Sequence, residues 1–147
     1  MADSRGFCRN LETELGRSAL TLMPTKDDTR ARVKAICGAF PGVEHEDKGD
    51  HAIYRVRGKV FVYFLDNHHG DGIVSVCVKS ELGENLDRAR LEPERFYLPA
   101  YIGPRGWFGM RLDRGRVRWR EVEEIVERSY RLTAPKTLLK RLPAAKP

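Results

Sequence analysis

The sequence predicts a two-layer α+β domain, an antiparallel sheet of five to six strands with helices mainly on one face. Three observations carry this. Candidate elements follow one another as α-β-β-β-β-α-β-β-α. The strand-like runs are joined by short glycine-containing loops, which make hairpins and so antiparallel pairs. One run, residues 59–66 (KVFVYFLD), is apolar on both faces, as a central strand covered from two sides would be.

Residues 1–24 carry weak helical spacing through Leu11, Leu15 and Leu20, and read as an N-terminal arm with Met23 as an alternative start. Thr25-Lys26-Asp27-Asp28 resembles a capping box, and Val33, Ile36, Cys37 and Phe40 then fall on one helical stripe. Phe40-Pro41-Gly42 ends that helix, because proline cannot continue the hydrogen-bond ladder. Residues 43–48 are short and polar, as suits a sheet edge. Ala52, Tyr54 and Val56 alternate with more polar neighbours, and Arg57-Gly58 turns the chain into the central strand. After the loop 67–72, Val74, Val76 and Val78 alternate with Ser75, Cys77 and Lys79. A charged helix over 81–91 has few anchors, chiefly Leu82, Leu86 and Leu91.

A second hairpin spans 95–113, turning at Gly103-Pro104-Arg105-Gly106. On its return strand Phe108, Met110 and Leu112 share one face, and Trp107, Gly109 and Arg111 the other. The first set reads as core: Val60, Val62, Val76, Phe108 and Met110 are expected on one buried face beneath the first and last helices. The second set reads as a bare groove between a tryptophan and an arginine. The longest helix covers 117–134, with Val122, Ile125, Val126 and Ser129 on its inner stripe. Three segments result: the arm 1–24, a domain over 25–134, and a basic tail over 135–147 with too few apolar anchors to pack, hence expected to be mobile.

A chain of 147 residues holds one domain with a proper core. No apolar run approaches the roughly 20 residues of a membrane helix, and the first residues lack the apolar stretch of a secretory signal. Three widely spaced cysteines, Cys8, Cys37 and Cys77, fit reduced thiols in a cytoplasm. Cys37, on the helical stripe, reads as a small buried hydrophobe. The loop Asp66-Asn67-His68-His69-Gly70-Asp71 holds ligand types without a third or fourth at metal-site spacing, and reads as a plain turn. Ser129 has no base at a recognisable spacing and no glycine-flanked elbow. The sequence therefore predicts no enzyme, no cofactor and no metal.

The formal charge is +6: residues 101–134 carry +3 and residues 135–147 carry +4, against −1 over residues 1–100. Such a basic third attracts polyanions, nucleic acid first. The candidate surface is the sheet face opposite the core, with Arg55, Tyr63, Lys79, Trp107 and Arg111, extended by Arg105 and by Lys136, Lys140, Arg141 and Lys146. Cations neutralise phosphates while an exposed Trp or Tyr stacks on bases. The alternatives are that the 81–91 helix or a second subunit covers this face and its aromatics are packing, or that it forms a pocket for a protein or small ligand.

Several short motifs come in a recognisable order: Phe40-Pro41-Gly42, Val56-Arg57-Gly58-Lys59-Val60-Phe61, Val78-Lys79, Pro99-Ala100-Tyr101, Gly106-Trp107 and Ser129-Tyr130. Together, over about residues 28 to 134, they resemble the MmcQ/YjbR family. The resemblance implies a secretion-chaperone-like α+β fold and a DNA-binding protein with a double-wing motif; the sequence leaves the oligomeric state open between a monomer and a weak dimer. Within the present sequence the binding would be largely electrostatic and weakly sequence-selective.

Overall fold

The computed structural model describes residues 26–142. The N-terminal arm, Thr25 of the capping box, Cys8 and Lys146 lie outside them. In chain order the elements are α1 (Lys26–Gly38), β1 (Val43–Lys48), β2 (His51–Val56), β3 (Lys59–Asp66), β4 (Val74–Lys79), α2 (Glu84–Leu91), β5 (Phe96–Tyr97), β6 (Trp107–Arg111), α3 (Trp119–Thr133) and the short α4 (Lys136–Leu139). The six strands form one sheet in the order β1-β2-β3-β4-β6-β5, every neighbouring pair antiparallel. The fold is α+β, as the alternation predicts.

The helices pack on one face. Val33 and Cys37 of α1 and Val122, Ile125, Val126 and Tyr130 of α3 meet Ala52, Tyr54, Val62, Phe64, Val76, Val78, Phe108 and Met110 of the strands in a single buried cluster. Burial leaves the Cys37 thiol far above its usual pKa, so it is no thiolate. Helix α2 joins the same face: the Arg88 guanidinium lies 4.8 Å from the Phe108 ring and 5.2 Å from that of Phe96, and Glu84 pairs with Arg128 of α3 at 2.8 Å. It therefore does not cover the opposite face of the sheet.

One expected core residue is displaced. Tyr54 pairs with Val62 but Arg55 pairs with Val60, so Phe61 is an extra residue in β3. The bulge turns Phe61 toward the helices, into the main core, and sends Val60 to the far face, against the Leu65–Cys77–Trp107 cluster. Ser129 of α3 meets the irregularity. Its hydroxyl donates to the Phe61 carbonyl at 2.6 Å and accepts the Lys79 N–H at 2.9 Å, so a side chain stands between the two strands where a ladder bond would run.

The tail also departs from expectation. Pro135 ends α3, but α4 folds back on the domain: Leu138 is 3% exposed, and Leu139 and Leu142 pack beside it. The contact reaches Gly42 (φ +72), where a Cβ would lie 3.1 Å from Leu138 Cδ1. Three leucines in five residues suffice to dock one turn of helix on a preformed core, and residues 136–142 are held rather than free.

Candidate nucleic-acid interface

Strand register decides which functional candidates come together. Val43 pairs with Val56, Val56 with Lys59, Val62 with Val78, and Lys79 with Trp107. The start of β1, the end of β2, the start of β3, the end of β4 and the start of β6 thus lie side by side along one end of the sheet, the Lys79 end. Four inter-strand steps of about 4.8 Å make this row about 19 Å long. The Arg57-Gly58 turn sits on it, both residues at positive φ, +51 and +78. Arg105 belongs to the 3₁₀ turn Gly103–Arg105 that delivers the chain to Trp107.

Helix α4 adds to the same end. The Tyr130 hydroxyl donates to Pro41 O at 2.6 Å, just before β1. Burial holds its pKa above the usual tyrosine value, against the opposing charges of Arg141 and Arg57. Arg57, Lys59, Arg105, Lys136, Lys140 and Arg141 are exposed and Lys79 is half-buried. Among the described residues none of the seven forms an ion pair. Three acids stand nearby: Glu44 on β1, Glu81 after β4, and Glu84 at the start of α2, which lines a small cleft with Lys79. The opposite end of the sheet mixes charges: Asp47, Asp50, Asp66, Asp71 and Asp113 lie there together with Lys48, Arg111, Arg114 and Arg116.

Two predicted cations do not belong to the row. Arg55 is tied to Glu46 at 2.7 Å. Arg111 pairs with Ser75 at the opposite end and grips Asp113 with two nitrogens, at 3.0 and 3.2 Å. Each is already neutralised by a carboxylate.

The mixed sheet face is filled by the chain itself. Trp107 is 4% exposed and packs with Leu65 and Cys77, with Val60, Tyr63, Tyr97 and Ile102 around it. Its ring lies 5.3 Å from that of Tyr63. Nor is the groove at Gly109 bare, since the ring of Tyr97 lies over it. The Tyr97 hydroxyl shares a 2.7 Å hydrogen bond with Ser75, and burial holds the neighbouring Cys77 thiol up at about 11. Trp107 is therefore packing and offers no stacking surface. The expectation of an open aromatic face, and with it a pocket there, is corrected by a physical fact that spacing could not show: β5 supplies a ring of its own.

Two cleft regions flank the helices. The one that Lys79 lines, with Glu84, Phe108 and Arg128, encloses about 10 Å³, room for little more than a water. A shallow cleft of about 420 Å³ between α1 and α3 is lined by Arg32, Ala35, Ile36, Ala39, Phe40, Glu123 and Glu127 and contains none of the predicted site residues. No described helix is long and apolar enough to cross a membrane.

Arg57 and Lys59 escaped the sequence reading because they look like hairpin punctuation. The signal was present, two unpaired cations around a turn glycine, but only register shows that they share an end with the tail.

The structure thus defines a two-layer α+β domain with one cationic strand end. A family model for YjbR matches residues 38–132, and the chain belongs to the YjbR family. No curated protein matches it. Among solved structures it resembles the crystal structure of a Deinococcus radiodurans protein assigned to the domain family DUF419. That likeness has 19% identity and a TM-score of 0.59, and covers 82% of this chain and 91% of the other. It bears on the fold alone.

Proposed function

We propose that this protein binds nucleic acid through the Lys79 end of its sheet, by neutralising backbone phosphates rather than by reading bases. The observation that carries the reading is the row itself: Arg57, Lys59, Lys79, Arg105 and the α4 cations on one end, in no ion pair among the described residues. A row of about 19 Å is long enough to meet several phosphates of a nucleic-acid backbone at once. Contacts of this kind fix position and carry little sequence preference. The reading includes no catalytic step and no cofactor.

The test is DNA affinity at about 50 and about 200 mM salt. Arg57→Ala and Arg141→Ala should each weaken binding to all sequences alike and flatten the log–log salt slope by about 1. Lys48→Ala, at the opposite end of the sheet, serves as the control. Equal slopes for Arg57→Ala and Lys48→Ala, or no binding at the lower salt, would sink the proposal.

A further inference from the structure

We infer that Tyr101 is a base-stacking platform at the margin of the cationic row, and that the protein consequently favours single-stranded over duplex nucleic acid. This rests on the phosphate-binding reading above and deepens it.

Among the described Phe, Tyr and Trp side chains, Tyr101 alone is exposed, at 86%. Tyr54, Tyr130 and Trp107 are buried, and the remaining rings are at least partly packed. Tyr101 also holds φ +69, a left-handed conformation that favours glycine and that bulky side chains rarely adopt. Neither property helps the fold: glycine would relieve the backbone, and an exposed ring adds little packing.

The surrounding chain fixes it there nonetheless. The Ile102 N–H reaches Ala100 O at 2.8 Å and the Gly103 N–H reaches Pro99 O at 2.9 Å. Asn85 of α2, itself 2% exposed, donates its side-chain amide to Gly103 O at 2.7 Å and to Trp107 O at 3.0 Å, clamping both ends of the following turn. A hydrogen-bonded loop thus presents an aromatic ring four residues before an exposed arginine, Arg105, that forms no ion pair among the described residues, and feeds into Trp107 beside Lys79. Exposed Leu82 and Leu98 stand beside this turn, where a Cβ on Gly106 or Gly103 would meet them, and leave an apolar margin. A flat apolar base over Tyr101 with its phosphate on Arg105 uses both. A duplex keeps its base faces stacked inside, so only a single strand gains from the ring.

The experiment compares fluorescence-anisotropy affinities for an oligothymidylate and a duplex of matched length, with thermal melting of each variant. Tyr101→Gly should lose roughly 5- to 150-fold of single-strand affinity, the equivalent of about 1–3 kcal/mol of stacking. Its duplex affinity should change less than about twofold, and its melting temperature should be unchanged or higher. Tyr101→Phe should bind both as the parent protein does. A Tyr101→Gly protein that keeps its single-strand affinity would overturn the inference and assign the Leu82–Leu98–Tyr101 margin to a protein partner, leaving the phosphate row intact. Equal losses on both ligands, or a lowered melting temperature, would make Tyr101 structural and equally overturn it. If the parent protein binds neither ligand, the phosphate-binding reading itself fails.

Discussion

The ring of Tyr97 occupies the space that a side chain at Gly109 would need. A Cβ there would lie 2.4 Å from Tyr97 Cε1 and 2.6 Å from Cζ, well inside contact distance. Gly109→Ala should therefore destabilise the fold by about 1–3 kcal/mol through overpacking. Combined with Tyr97→Ala, the two costs should fall well short of additive, because removing the ring removes the clash. Additive melting free energies in that cycle would show that the ring does not constrain Gly109.

Phe108 lies on the helical face, 1% exposed, its ring edge-on to Phe96 at 5.6 Å. Truncation to Ala should cost about 3–5 kcal/mol. A denaturation midpoint that does not move would refute the face assigned to β6.

The Tyr54 hydroxyl is buried with no hydrogen-bond partner among the described residues, and burial drives its pKa up. Tyr54→Phe removes an unsatisfied polar atom while keeping the ring, and should raise stability by about 1 kcal/mol. A loss of stability in urea would mean that the hydroxyl has a partner.

Charge and packing in the C-terminal segment are separable. Leu138→Ala should cost about 2–4 kcal/mol, since it empties the site against Gly42 and the core. Replacing Lys136, Lys140 and Arg141 together by Ala should leave the melting temperature nearly unchanged and weaken DNA binding uniformly. The reverse pattern would make the cations structural and the leucine dispensable.

Asp113 gives a pH signature. Burial would raise its pKa, but the Arg111 side chain and the Val74 N–H outweigh that and hold it below the usual carboxylate value. A group depressed in the folded state stabilises above its unfolded pKa of about 3.9 and loses that contribution as pH falls through the folded value. Asp113→Asn should thus be destabilised at neutral pH, with the gap closing in acid. A gap constant across urea titrations down to the acid limb would contradict the pairing.

Much of the architecture was legible because alternation is a local property. Val76, Phe108 and Met110 face the helices as their spacing requires, and Lys79 and Trp107 are direct register partners. What spacing cannot encode is an inserted residue: Phe61 shifts Val60 to the wrong face, and nothing in a run that is apolar on both sides marks where the count slips. The Trp107 face was misread for a related reason, since its cover is a two-residue strand, β5, too short to carry a pattern. Most of the cationic candidates did assemble, but through register, which also brought in Arg57 and Lys59. Arg55 and Arg111 were lost to carboxylates that lie across a strand or round a turn.

The Ser129 hydroxyl has a consequence for how the molecule comes apart. It is a link in the hydrogen bonding between β3 and β4 that belongs to neither strand, so α3 cannot lift from the sheet without breaking open the Phe61–Lys79 junction. Helix detachment and strand separation become one event. The amide proton of Lys79 should accordingly exchange with solvent at the rate set by undocking of α3, making a single backbone position in a strand the reporter of a helix's motion.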